Sequence, residues 1–284
     1  MKRSSRCAML IGNAAAGRCP VRAIFAGITF MAALTSASAD AIPIPVRFPE
    51  GITHGYLVVR SPAGEIIGRG ELTQVVKGSE RVESRLIFRF KDGSLHDEQV
   101  AFSQRQVFTL VNYRLIQRGP AFPEQLEVSV DRGTGKYEVR SREGMKENEE
   151  VRTGRFDLPM DVYNGMLITV LLNLRKGADT SVNVLSFTPE PDIVTLQLLD
   201  KGEHAVHIGD TSAKARHYVF EPQIGTIKKF LGRISGKLPS RFHYDCWITA
   251  DDVPGFVQFE GPLQLRGPIM RIELISPRLA NKPD

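Results

Sequence analysis

Apolar and polar positions alternate with a period of two over much of the chain beyond residue 51. Arg81–Lys91 shows this most clearly. Val82, Leu86, Phe88 and Phe90 fall on one face with Ser84, and Arg81, Glu83, Arg85, Arg89 and Lys91 on the other; Ile87 is the apolar exception. One apolar and one charged face at this period predict a strand with one side on a core and the other in water. Asp92-Gly93 then supplies a hairpin turn. The same reading predicts a first hairpin of His54–Arg60 and Glu65–Val76 around Ser61-Pro62-Ala63-Gly64. Further strands are expected at Gln99–Ser103, Gln106–Ile116, Gln125–Asp131 and Lys136–Arg142, with a turn at Asp131–Gly135. Gly144–Gly154 is charged and poor in apolar residues, which predicts an exposed loop.

The period changes at Asp161–Lys176 (DVYNGMLITVLLNLRK), which predicts a helix. Asp157 or Asp161 can cap its start, Arg175 and Lys176 suit its negative end, and Gly177 can end it. Met166–Leu172 is apolar nearly all round, as in a buried helix, and too short to cross a bilayer. The β-branched run Ile168, Thr169, Val170 leaves a strand as the alternative. Strand patterns return at Ser181, with Val194, Leu196 and Leu198 alternating with Thr195 and Gln197. Others fit Ala205–Ile208, Ala215–Glu221, Arg241–Thr249, Gly255–Glu260, Leu263–Arg266 and Ile269–Ile275, and Ile224–Ile234 reads as a second helix. The fold class expected is mainly β: a strongly curved antiparallel sheet, half-barrel or barrel-like, with one or two covering helices. The strands before and after the long helix form its two wings.

The N-terminus changes the compartment. Lys2, Arg3 and Arg6, the apolar run Ala23–Leu34 and the small residues Ala37, Ser38 and Ala39 make a charged leader, an apolar core and a cleavage site. The expectation is a signal peptide over 1–39, cut before Asp40, with an uncleaved anchor as the alternative. An extended segment follows over 40–51, then one β-rich domain over 52–275 and a tail over 276–284. The chain is expected to be periplasmic or otherwise exported, soluble after cleavage and without a transmembrane span.

Removing the leader also changes the charge. The chain has 37 Lys+Arg and 32 Asp+Glu, and residues 1–39 hold five of the basic residues and no acidic one. The remaining chain is neutral overall, which gives no bulk field for nucleic acid. Cys7 and Cys19 leave with the leader, so Cys246 has no partner for an internal disulfide. Arg18 before Cys19 does not fit a lipid-attachment site.

The order of segments carries a resemblance. It runs from the hairpin HGYLVVRSPAGEIIGRGEL through strand repeats and the DLPMDVYNG helix start to GFVQFEGPLQLRGPIMRIEL. This resembles a group of uncharacterised bacterial periplasmic proteins with a half-barrel sheet, similar in shape to carriers of lipids and lipoproteins. The resemblance covers most of residues 52–275. It implies a curved sheet and a carrier-like role, and it brings no site residue with it.

Motifs for catalysis are sparse. His204, His207 and His217 are the nearest thing to a metal set, but a spacing of three along a strand puts His204 and His207 on opposite faces. His243-Tyr244-Asp245-Cys246-Trp247 gathers reactive types, yet strand phase puts Cys246 with Tyr244 and Ile248, away from His243 and Asp245. Asp251-Asp252 and Glu149-Glu150 read as solvated pairs. The chain contains no G-x-S-x-G, G-x-x-x-x-G-K or H-E-x-x-H motif. The basic stretch Ile224–Lys237 reads as a helix packed on the sheet, with a membrane surface as the alternative.

No catalytic residue, metal ligand or cofactor is therefore expected. The expected function is binding of a lipid or hydrophobic small molecule in the concave face of the sheet. Leu86, Phe88, Phe90, Val111, Tyr113 and Leu115, with Met166 and Leu167 from the helix, are the candidate lining residues. The same residues can equally form plain core. A scaffold with an envelope protein partner at its strand edges is the second reading, and a hydrolase is the third.

Overall fold

The structure, a computed structural model, describes residues 43–144, 148–188, 190–208, 210–223, 244–264 and 267–275. The first wing contains β1 (Thr53–Arg60), β2 (Ile66–Lys77), β3 (Arg81–Phe90), β4 (Leu95–Gln104), β5 (Phe108–Arg118), β6 (Glu124–Asp131), β7 (Lys136–Glu143) and β8 (Glu150–Arg155). A crossing segment carries α1 (Leu167–Asn173). The second wing contains β9 (Thr180–Ser186), β10 (Asp192–Ile208), β11 (Thr211–Pro222), β12 (Tyr244–Thr249), β13 (Phe256–Pro262) and β14 (Ile269–Leu274).

All fourteen strands form one antiparallel sheet, ordered β8-β7-β6-β5-β4-β3-β2-β1-β14-β13-β12-β11-β10-β9. Each wing is a simple meander. The two join where the first strand meets the last, with Leu57 opposite Leu274 and Val59 opposite Ile272. The chain thus starts at the middle of the sheet, runs out to one edge, crosses through α1 to the other edge and returns. The sheet is not closed; β8 and β9 are its edges.

The inner face is apolar, so the sheet curls to bury it. The larger cluster joins Val82, Phe102, Leu110, Tyr113 and Val128 of the first wing to Leu185, Leu198, Tyr218 and Cys246 of the second, with Met166, Val170 and Leu171 between them. Tyr113 stacks on Phe187 at 5.9 Å between ring centroids. A smaller cluster gathers Leu57, Val59, Phe88, Phe90, Phe122, Met270 and Ile272. Its packing depends on two glycines. A Cβ on Gly70 would lie 2.4 Å from two carbons of the Phe88 ring, and one on Gly68 would lie 3.1 Å from Phe90 Cδ1.

Two ties close the ends of the interior. The segment before β1 runs past α1. There the Ile44 N–H donates to the Tyr163 hydroxyl at 2.8 Å, and Arg47 and Phe48 N–H donate to Asn173 Oδ1 at 2.8 and 2.7 Å. At the other end, Gln117 Nε2 donates to the Leu263 carbonyl at 2.8 Å and Gln264 Nε2 to the Glu124 carbonyl at 2.7 Å. These bonds hold the turn after β13 against β5 and β6. Arg132 anchors the crossing segment by donating to the carbonyls of Leu110, Leu158 and Pro159.

Several boundaries differ from those expected. The helix covers Leu167–Asn173 rather than 161–176, and its N-cap Met166 makes no side-chain bond. Asp161 does not cap it: its carboxylate accepts from Asn183 Nδ2, and Val162 bridges to Asn183 on the edge of β9. Glu150–Arg155 is an edge strand, not loop; its charges sit on an edge that faces water. Residues 192–208 form one strand, interrupted by a register shift between Asp200 and Glu203 where Gly202 has φ +89°. Of the stretch expected as a strand over 263–266, Leu263 and Gln264 lie in a bend after β13, and the rest lies outside the described residues. The leader, the second helix at 224–234, the start of the 241–249 strand and the tail at 276–284 lie outside the described residues.

Leu171 is 1% exposed between the wings. Leu171→Ala should therefore cost about 2–5 kcal/mol, and Gly70→Ala about 1–3 kcal/mol through the clash with Phe88. Denaturant unfolding measures both. A midpoint equal to wild type for Leu171→Ala would mean that α1 does not join the two wings.

Candidate functional site

The inner face of the first wing is best read as cross-strand rows. One row runs Gly70, Phe88, His96, Gln117 and Leu126; these residues are buried. The next runs Leu72, Leu86, Glu98 and Leu115. In that row Leu115 is buried, but Leu72, Leu86 and Glu98 are only half-buried although they point inward. From the second wing Phe256 and Phe259 also face inward half-buried; both pack on the smaller cluster, and Phe256 touches the larger one as well. A seam of incomplete packing thus separates two closed apolar clusters.

Glu98 is the polar group of this seam. Tyr113 donates its hydroxyl to Glu98 Oε1 at 2.7 Å. Burial raises the Glu98 carboxyl above the usual carboxylate range, opposed by that hydrogen bond. Burial, then the Glu98 charge, raises the Tyr113 phenol. The lead-in to α1 passes close by, since a Cβ on Gly165 would lie 3.5 Å from Glu98 Cδ.

His96, two positions along on the same face, lies between the rings of Phe88 and Phe122 at 5.6 and 6.4 Å. Gln117 Nε2 is 3.1 Å from His96 Nδ1, so Nδ1 is the acceptor and Nε2 carries the proton. Nε2 is buried and has no hydrogen-bond partner among the described residues. Burial lowers the His96 pKa to about 4, partly offset by Asp97, so the ring is neutral at pH 7.

The eight expected lining residues are divided by this arrangement. Leu86, Phe88 and Phe90 belong with the smaller cluster; Tyr113, Leu115, Met166 and Leu167 belong with the larger. Phe88 and Phe90 lie over their own sheet, and of these seven only Leu86 and Leu167 stay half-buried. Val111 falls out of phase. The register shifts between Ala101 and Phe102 leave Ala101 opposite Asn112 and Phe102 opposite Leu110, so Val111 is an extra, bulged residue. Sequence reasoning missed Glu98 and His96. Their signal was alternation: His96, Glu98, Val100 and Phe102 share one face of β4.

On the outer face of the second wing, His217 Nε2 lies 2.7 Å from Asp245 Oδ1. Its ring stacks on Trp247 at 4.5 Å, and His204 stands edge-on at 5.8 Å. His207 alternates to the opposite face. Among the described residues no three His, Cys, Asp or Glu side chains are grouped to hold a metal ion. Cys246 occupies the other side of β12, fully buried, with its thiol pKa pushed up by burial and then by Asp245. His243 lies outside the described residues. Among those residues no helix is long and apolar enough to cross a membrane. No protein-family model matches the chain, and no curated protein matches it either.

Two measurements test this geometry. A native-state thiol titration should label Cys246 slowly and speed up on unfolding; prompt labelling would place the thiol at the surface. For His96 the native pKa near 4 lies below the unfolded 6.5. Below pH 6.5 the unfolded chain gains a proton that the native chain refuses, so stability falls as pH drops from 6.5 to about 4. The loss is on the order of 3 kcal/mol. Glu98 contributes the opposite slope above its unfolded pKa, because its native pKa is raised. The difference between wild type and His96→Gln isolates the histidine, and the variant should have the flatter acid limb.

Proposed function

We propose that this protein is an exported binding protein of the bacterial envelope, holding one amphipathic, largely apolar molecule of lipid type in the seam inside its curved sheet. One observation carries the reading. Leu72, Leu86, Phe256 and Phe259 face the interior, yet they remain half-buried between two closed clusters. Each packs against the smaller cluster on one side, and the apolar surface left accessible on the other is stabilised by an apolar occupant. Glu98 supplies the polar end. Its Oε1 accepts from Tyr113, and its other oxygen, for which no bond is found among the described residues, would accept from a hydroxyl or ammonium on the ligand. The export reading rests on the charged leader, the apolar run and the Ala37-Ser38-Ala39 cleavage site.

The scaffold reading needs an open strand edge. The edge of β9 is partly taken by the crossing segment, through Val162 and the Tyr163 N–H to the Asn183 carbonyl. The edge of β8 carries Glu150, Arg152 and Arg155, charges that discourage strand addition.

Titration with a fluorescent polyene fatty acid tests the proposal. Wild type should bind it saturably. Leu86→Gln should weaken binding about tenfold or more, because a buried Leu is worth about 1.5–3 kcal/mol. Leu86 is the better probe than Phe88, whose full burial on Gly70 makes it a folding residue. Circular dichroism confirms that the variant folds. Folded wild type with no affinity for acyl or alkyl probes would overturn the reading.

A further inference from the structure

The face of the first wing turned to water is hollowed. It holds an open trough of about 1120 Å³. Strand register builds its floor. Arg85, Gln99, Arg114, Ser129, Glu138 and Thr153 are successive partners on β3 to β8, and all six line the trough. At ~4.8 Å per strand this polar row extends roughly 24 Å across the wing. The small Ala101 lies beside it, at the bulge that bends β4 against β5.

Most charges along the row are compensated. Arg85 donates two hydrogen bonds to Asp97, Arg114 pairs with Glu127 at 2.8 Å, and Glu138 with Arg140 at 2.7 Å. Lys136 and Arg155 differ. They stand directly opposite each other at the ends of β7 and β8, and neither has an acidic partner among the described residues. Asp131, near the start of β7, has its oxygens engaged by Thr134 and Asn112. Like charges in register destabilise a strand pair, so an anion between them would be stabilising.

We propose that this trough is a second binding site, for an extended anionic glycan lying across the strands with an acidic group between Lys136 and Arg155. The hydroxyls of Ser129 and Thr153 make no hydrogen bond among the described residues, and the Gln99 amide oxygen is also unused. A line of hydroxyl, amide and guanidinium groups matches a polymer of hydroxyls. Nucleic acid needs an uncompensated basic field, whereas Arg85 and Arg114 already face carboxylates. A protein partner would need an exposed aromatic or aliphatic anchor at the centre; the trough's apolar lining at Val100, Tyr113 and Val130 is buried, and the row of side chains between Arg85 and Thr153 is polar. The polar row lies on the face of the sheet opposite the interior seam.

Calorimetric titration of the purified protein with polygalacturonate oligosaccharides tests this, with neutral dextran and single-stranded DNA as comparators. Wild type should bind the acidic oligosaccharide, bind it more weakly as salt rises, and prefer it to both comparators. The pair Lys136→Glu and Arg155→Glu should weaken binding at least tenfold; Lys136→Gln with Arg155→Gln is the milder version should charge reversal unfold the edge. Gln99→Trp, four strands from Arg155, should also weaken binding if the ligand is extended. Acyl-probe binding should be unchanged in all of these variants. No binding, equal binding by the charge variants, indifference to Gln99→Trp, or DNA binding as tight as that of the glycan would each overturn the proposal.

Discussion

One constraint governs this molecule. The inner face of a fourteen-strand sheet is apolar, and the seven-residue helix is far too small to cover it. The sheet must cover itself. It does so by bending its two wings around α1, so that Leu110, Val128 and Tyr113 meet Leu185, Leu198 and Tyr218. The other features follow from that bend: the strap past Asn173, the turn held by Gln117 and Gln264, and the two edges joined by one crossing segment. Hydrophobic burial drives the closure without choosing its geometry. The directional hydrogen bonds at the ends choose it.

The bend also explains the incomplete packing in the middle. The two ends are clamped, and each holds a closed cluster. Between them Leu72, Leu86, Phe256 and Phe259 face inward, pack on the smaller cluster and stay half-buried. The polar residues of β4 sit at this level, with His96 in the buried row and Glu98 in the open one. Burying either group is unfavourable without partners. Each keeps one partner, Tyr113 for Glu98 and Gln117 for His96, and their opposite pH slopes separate the two contributions. The outer trough has another origin. It lies beside the bulge between β4 and β5, over a cross-strand row in which the short Ser129 and Thr153 alternate with longer polar side chains. It is polar because that side of the sheet has always faced water.

The chemistry of the second wing shows how far residue types can mislead. His217, Asp245, Trp247 and His204 do converge, and Cys246 is one residue from two of them. Strand alternation nevertheless sends Cys246 through the sheet to the opposite face, where burial raises its thiol pKa. What remains outside is an aspartate-oriented histidine stacked on an indole.

The sequence by itself determined the strand class, the phase of most strands and the buried state of Cys246, because a two-residue period fixes which side chains share a face. The Val82, Leu86, Phe88 and Phe90 face was legible in this way, and so was the buried apolar run around Leu171. It did not determine the ends of the helix. Asp161 resembled a cap, but its bond to Asn183 on β9 is a contact distant in sequence. Nor did it show β8, whose charged residues match a loop until β7 lies beside them. The bulge at Val111 broke a phase that alternation alone treats as continuous. The pairing of β1 with β14, the split of the interior into two clusters and the placement of Glu98 between them were decided only by tertiary structure. Each depends on which distant residues the bend brings together, and a local pattern carries no record of that.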